Sequence, residues 1–270
     1  MKSDFLWWRD GVIYQIYPRS FADSNGDGIG DLPGIQSKLD YLVELGVDAI
    51  WLSPIYPSPD VDFGYDVADY TAVDPKYGTL EDFDALVQAA HQRGLRIVMD
   101  LVLNHSSDQH PWFKQSRSSR DNPYRDWYIW REPAVGKRPP NGWQSVFGGK
   151  AWQWDEATGQ YYYHMFCKEQ PDLNWRNPAV REAILDVFRF WIERGVDGFR
   201  LDVFNVYFKD DQLRENPHRL GRRPFDSQVH IYDCDRPEMI PLLQEIRALL
   251  DSYPERYAVG ETFLSTTEKA

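Results

Sequence analysis

The 270-residue chain reads as an α/β protein built like the N-terminal portion of a TIM-type (β/α)8 barrel, about five strands of it, with a subdomain inserted after the third strand. Three observations predict this. Apolar runs alternate with helical patterns, which is the signature of a parallel sheet. A helix, a glycine stop and a short strand recur in that order at Gly46, Gly94 and Gly195. Three of the strands end on a carboxylate, Asp100, Asp202 and Glu261, and active sites of α/β barrels are assembled from the C-terminal ends of strands.

Taken in order, Val12–Tyr17 is the first strand and Ile35–Leu45 the helix after it, stopped by Gly46. Ala49–Leu52 is the second strand. Leu80–Arg93 is the next helix, closed by Gly94, and Arg96–Leu101 the third strand. Val180–Arg194 is a helix stopped by Gly195, and Gly198–Leu201 the fourth strand. Pro237–Leu250 is a further helix, and Tyr257–Val259 the fifth strand. Between His105 and Asp172 the period breaks down in a stretch rich in Trp, Tyr, Pro, Gly and Asn, too long for a plain loop. Residues 105–171 are therefore assigned to an inserted subdomain with short strands such as Gln160–Phe166, and residues 1–104 and 172–270 to the incomplete barrel. A barrel needs eight strands, so the hydrophobic edges left open offer a surface for self-association.

Composition narrows the partners. A net charge of −12 disfavours nucleic acid and anionic membranes and fits a neutral small molecule. No apolar run reaches the 18 or more residues of a membrane span, and the first ten residues hold no signal-peptide core. Two cysteines, Cys167 and Cys234, stand far apart and outside any metal-like spacing. Reduced thiols in the cytoplasm are the expectation. The 11 Trp and 16 Tyr supply flat rings suited to sugar faces, although most must also pack.

Paired carboxylates on adjacent strand ends can attack an anomeric carbon and shuttle its leaving-group proton. Asp202 and Glu261 are the candidates. Arg200, two residues before Asp202, points to the same face of its strand and would keep that carboxylate ionised. The alternative is a buried Asp202–Arg200 ion pair without chemistry.

These segments carry a resemblance. Asp100-Leu101-Val102-Leu103-Asn104-His105, Gly198-Phe199-Arg200-Leu201-Asp202-Val203 and Gly260-Glu261-Thr262 look like three of the four signature regions of the α-amylase superfamily, glycoside hydrolase family 13. Gln170-Pro171-Asp172-Leu173-Asn174-Trp175 resembles the additional motif of its oligo-1,6-glucosidase and α-glucosidase branch. The opening run from Trp7 to Phe21 is similar to that branch's start.

The resemblance implies that Asp202 is the nucleophile, Glu261 the general acid/base and Arg200 the residue orienting the nucleophile. Asp100 and His105 would frame the first subsite, His105 donating to a sugar hydroxyl. Asp62 and Tyr65 would bind and stack the terminal glucose, and Phe147 and Phe166 would wall the pocket, with plain packing as the alternative for the three aromatic residues. A fourth region, carrying a third carboxylate at the seventh strand, is not in this sequence, which puts the activity of the chain by itself in doubt.

Asp23-Ser24-Asn25-Gly26-Asp27-Gly28-Ile29-Gly30-Asp31 places oxygen donors at alternate positions, like the first part of an EF-hand loop. Gly34 stands where the closing glutamate would be, so this is a hard-cation loop and not a calcium switch. By the resemblance it holds a structural calcium through Asp23, Asn25, Asp27, the Ile29 carbonyl and Asp31, with magnesium as the alternative ion. A glycine- and aspartate-rich turn without metal is the other reading.

The function implied is a retaining, exo-acting α-glucosidase taking short α-glucosides, α-1,4 and/or α-1,6, with some glucosyl transfer. Val203 after the nucleophile leans toward α-1,6 action, whereas Asn205–Phe208 and Leu213–Pro217 resemble enzymes of maltose-like substrates. The alternatives are an α-glucosyl isomerase or transferase, of the sucrose or maltose isomerase type, and a non-catalytic carbohydrate-binding or interaction homologue.

Overall fold

The computed structural model describes residues 5–262. The chain runs α1 (Trp7–Asp10), β1 (Ile13–Ile16), α2 (Pro18–Phe21), α3 (Leu32–Ser37), α4 (Leu39–Leu45), β2 (Ala49–Leu52), α5 (Leu80–Gln92) and β3 (Arg96–Leu101). It continues through α6 (Pro111–Ser118), β4 (Trp130–Arg131), β5 (Trp152–Asp155), β6 (Gln160–Tyr163), α7 (Pro178–Glu193), β7 (Gly198–Leu201), α8 (Met239–Asp251) and β8 (Tyr257–Gly260). Five strands form a parallel sheet in the order β1-β2-β3-β7-β8, and three form an antiparallel sheet in the order β4-β6-β5. The small sheet falls between β3 and β7 in the chain. The predicted barrel ends, 1–4 and 263–270, lie outside the described residues.

Alternation along the strands sorts the parallel sheet into two faces. Ile50 and Leu52 on β2, Ile97, Met99 and Leu101 on β3, and Phe199 and Leu201 on β7 are buried in the main core. That core also takes Leu39 and Leu42 of α4, Phe83 and Leu86 of α5, Phe188 and Trp191 of α7, and Leu242 and Ile246 of α8. On the opposite face Trp7, Ala49 and Val98 make a separate cluster with Ile13, Trp51 and Tyr257. A cavity of about 340 Å³ opens on that face, lined by Ile13, Trp51, Val98, Tyr257 and Val259 and reaching Arg200 and Glu261. Arg200 shares the parity of Gly198, and Glu261 that of Val259, so the polar site sits at the C-terminal rim of the face opposite the long helices α5, α7 and α8.

Two expectations shift. The helix predicted over Ile35–Leu45 is two helices, because the chain enters the first turn earlier, at Leu32, and breaks at Lys38. Asp31 caps α3 by accepting from Gly34 N, and Pro33 stands in the first turn where its missing N–H costs nothing. The strand predicted over Gln160–Phe166 ends at Tyr163. Beyond it the backbone is used elsewhere: His164 N bonds Ala151 O, and Met165 N bonds the Asp172 carboxylate.

Candidate active site

β3, β7 and β8 deliver three carboxylates to one guanidinium. Arg200 Nη1 donates to Asp100 Oδ1 at 2.7 Å and to Asp202 Oδ1 at 2.6 Å, while Nη2 meets Glu261 Oε2 at 2.5 Å. Parallel register sets this up, since Asp100 stands beside Arg200 and Leu201 beside Gly260. Gly260 is required here: a Cβ would lie 2.3 Å from the Phe204 ring, which packs on the backbone just before Glu261. Val203, next to the expected nucleophile, adopts the left-handed conformation (φ 38°), uncommon for a β-branched residue. It turns the chain so that Val203 N–H donates to Glu261 Oε2 at 3.3 Å.

The electrostatics differ from the expectation in one respect. Burial, then the charge of Asp100, pushes the Asp202 carboxyl well above its ordinary range, with Arg200 acting in the opposite direction. Burial likewise carries Asp100 up to about 6 against the pull of Arg200. The Asp202–Arg200 pair is present as predicted, and the same guanidinium is divided among three carboxylates, those of Asp100, Asp202 and Glu261. Asp202 Oδ1 is engaged by Arg200, whereas Oδ2 has no hydrogen bond among the described residues. Glu261 is the most exposed of the three side chains, at 38%.

A second group stands above the first. Tyr65 OH donates to Asp100 Oδ2 at 3.2 Å, and the Tyr65 ring lies 5.9 Å from the Arg200 guanidinium carbon. The Tyr65 carbonyl accepts from His105 Nε2 at 3.0 Å. Asn104 Nδ2 faces His105 Nδ1 at 3.2 Å; that amide donates, so the imidazole is neutral with its proton on Nε2. Burial agrees, lowering His105 to about 4. His105 Nε2 lies 3.0 Å from both the Tyr65 carbonyl and Gln170 Nε2, so donation to a sugar hydroxyl would require exchanging these contacts. Gln170 Nε2 donates to Asp62 Oδ2 at 2.9 Å, and burial raises the Asp62 carboxyl. Phe166 packs on His105 at 5.2 Å and Phe147 on Phe166 at 5.7 Å; Phe166 is buried, Phe147 is 57% exposed.

The structure therefore brings Asp100, Arg200, Asp202, Glu261 and Tyr65 into one bonded cluster, with Asp62, His105, Phe166 and Phe147 reaching outward from it. Sequence reasoning missed four members. Trp51 Nε1 donates to Asp100 Oδ2 at 3.2 Å, and strand parity with Arg200 was the available signal. Tyr56 OH holds the Asp100 carbonyl at 2.8 Å, and Gln170 bridges toward Asp62. Lys209, 2% exposed, donates to Asn104 Oδ1 at 2.7 Å and pairs with Asp172 Oδ2 at 2.5 Å. A lone lysine inside Tyr207-Phe208-Lys209 was its only sign.

The Asp23–Asp31 segment lies apart, between α2 and α3. Asp23 accepts from the amides of Asn25, Gly26 and Gly28, Asn25 Oδ1 from Asp27 N, and Asp27 Oδ1 from Ile29 N. Asp31 divides its oxygens between Ser24 and the cap on Gly34. Among the described residues no Lys or Arg pairs with these carboxylates, and Cys167 and Cys234 are not joined by a disulfide. No helix among the described residues is long and apolar enough to cross a membrane.

A parallel α/β sheet that gathers carboxylates around one arginine at its C-terminal rim defines the class: an α/β-barrel chain with a carboxylate site. The chain belongs to the alpha-amylase family, whose catalytic-domain model matches residues 15–270. It is 56% identical over 271 residues to a probable alpha-glucosidase of Rhizobium meliloti, covering 97% of this chain and 49% of that protein. It is 52% identical to the oligo-1,6-glucosidase of Parageobacillus thermoglucosidasius, over 95% of this chain and 45% of that one. The crystal structure of an alpha-glucosyl transfer enzyme superposes with a TM-score of 0.93 at 54% identity, covering 95% of this chain and 50% of the other. The chain thus spans about half the length of the curated relatives it matches.

Proposed function

We propose that the chain carries the nucleophile and the acid/base of a retaining, exo-acting α-glucosidase of short α-glucosides, α-1,4 and/or α-1,6. The observation that carries this is the division of labour around Arg200. The guanidinium fixes Asp202 by Oδ1 and leaves Oδ2 without a hydrogen bond among the described residues, while the more exposed Glu261 sits on the other terminal nitrogen. Asp202 Oδ2 attacks the anomeric carbon as Glu261 gives its proton to the departing oxygen. Glu261 then takes a proton from the water that releases glucose, and two inversions leave the configuration unchanged. In this reading Asp62, Tyr65, Asp100 and His105 hold the terminal glucose, and Phe147 and Phe166 form the wall. A sugar hydroxyl replacing that water gives transfer, which is the activity named for the transfer enzyme of similar structure.

The aspartate loop fits a hard cation: its donors are carboxylate, amide and carbonyl oxygens on an exposed, anionic turn. We assign Asp23, Asn25, Asp27, the Ile29 carbonyl and Asp31 to calcium, with magnesium as the alternative, in a structural role. The unpaired sides of β1 and β8 in the described sheet offer the surface for self-association.

The test is hydrolysis of 4-nitrophenyl α-glucoside by the 270-residue chain, followed by proton NMR. α-Glucose should appear first, and Asp202→Asn should lower the rate by a factor on the order of 1,000 or more. β-Glucose appearing first would overturn the retaining mechanism. A folded sample without turnover would show that these strand ends do not suffice for the reaction.

A further inference from the structure

Outside the Arg200 cluster, the connection between β7 and α8 brings three metal-type donors to one point. The ligand atoms of His230, Asp233 and Cys234 lie within 4.8 Å of one another. Asp233 is fully buried and Cys234 is 6% exposed. His230 Nε2 contacts the Phe225 carbonyl at 2.9 Å, and a carbonyl only accepts, so Nε2 carries a proton. The ring is held in that orientation by stacking on Phe225, with centroids 3.8 Å apart. Nδ1 then faces both Asp233 oxygens, at 3.0 and 2.9 Å. A lone pair pointed at a carboxylate is repulsive, so something positive sits between them: a second ring proton or a metal ion.

Three features favour the metal. A histidine ligand typically donates its other N–H to a carbonyl or carboxylate, which is the Phe225 arrangement. The Cys234 sulfur converges on the same point, within 4.8 Å of the other two ligand atoms. The Tyr163 hydroxyl on β6 is buried without a hydrogen-bond partner among the described residues. Burial, then the charges of Asp233 and Asp172, raise its phenol. A neutral imidazole, a carboxylate and a thiolate balance a divalent charge, and this N, O, S donor set suits zinc.

We propose that His230 Nδ1, Asp233 and Cys234 Sγ bind a divalent transition-metal ion, zinc by donor chemistry, at a structural site that fixes the connection between β7 and α8. The ion's influence reaches the catalytic turn by a short route. The next residue, Asp235, donates its N–H to Asn205 O at 2.8 Å and accepts from Asn205 Nδ2 at 2.8 Å, three residues beyond Asp202.

The test is cobalt(II) and zinc(II) titration of the metal-stripped 270-residue chain. One equivalent of cobalt should bind with a thiolate-to-cobalt charge-transfer band, and zinc should displace it. The band should vanish in Cys234→Ser and persist in Cys167→Ser and Asp27→Asn, and Cys234→Ser should weaken zinc binding on the order of 100-fold or more. No thiolate band in the folded wild type, or a band that survives Cys234→Ser, overturns the site and leaves an imidazolium–carboxylate pair. Alkylation with peptide mass spectrometry reads the same point in the wild type: zinc should shield Cys234 and not Cys167, and equal labelling with and without zinc counts against the proposal.

Discussion

At Arg200 one guanidinium faces three carboxylates, and its contacts read as a site because each acid ends a different strand. A histidine outside that cluster offers a clean test of burial. His110 caps the N-terminus of α6, accepting from Trp112 N through Nδ1, and burial lowers it to about 4. In the unfolded chain a histidine titrates near 6.5. The unfolded state therefore binds the proton first, and the stability contributed by neutral His110 is complete above pH 6.5 and lost as pH falls toward 4. Asparagine can accept from the same amide without titrating. Relative to His110→Asn, the wild type should lose about 3 kcal/mol between pH 6.5 and 4, measured by urea unfolding at both pH values. Parallel curves would mean that this ring stays solvated. Residues such as Asp100, Arg200, Asp202 and Glu261 were legible in sequence because position at a strand end and parity decide where they point. Gln170 and Lys209 were not, because their partners come from segments more than 60 residues away, Asp62 for the first and Asn104 for the second.

At the scale of elements, the glycine punctuation has a direct physical basis. Gly46, Gly94 and Gly195 all take positive φ, 84°, 80° and 93°, and each closes a helix so that the chain can enter a strand. At Gly195 the space is also closed, since a Cβ would lie 2.9 Å from Val87 Cγ1. The five strands and the long helices could be read from apolar period and these stops. The short α1 and α2 and the two-residue β4 could not, because a single helical turn or a two-residue strand carries too little period. The helix starts held a further signal. Thr79 accepts from Asp82 N at 3.2 Å, and Asp82 Oδ2 returns to Thr79 N at 2.9 Å, a closed capping box on α5. Thr79→Ala should cost about 1 kcal/mol, read as a lower urea midpoint at unchanged m-value. A change in m-value instead would indicate that α5 unfolds apart from the rest.

For the whole molecule, the question is what joins the aromatic insertion to the parallel sheet. The insertion leaves β3 through Asn104 and returns through Asp172, and Lys209 arrives from the turn after β7 to bond both. Its ammonium also contacts the Val206 carbonyl, and Asp172 accepts from Asn104 Nδ2 at 2.9 Å and from Met165 N at 2.8 Å. Three separate segments thus share one buried ion pair. Attraction between the charges is offset by the cost of taking both out of water, so the pair contributes little net stability against an apolar replacement. Losing one partner is another matter, because the other is left charged in the interior. Lys209→Met should therefore destabilise the protein by about 3–5 kcal/mol, and adding Asp172→Asn should recover much of that loss, giving a coupling energy of about 1–3 kcal/mol in a double-mutant cycle followed by urea unfolding. If the two losses simply add, water already reaches Asp172, and the insertion is held to the sheet by its aromatic packing and not by this charge.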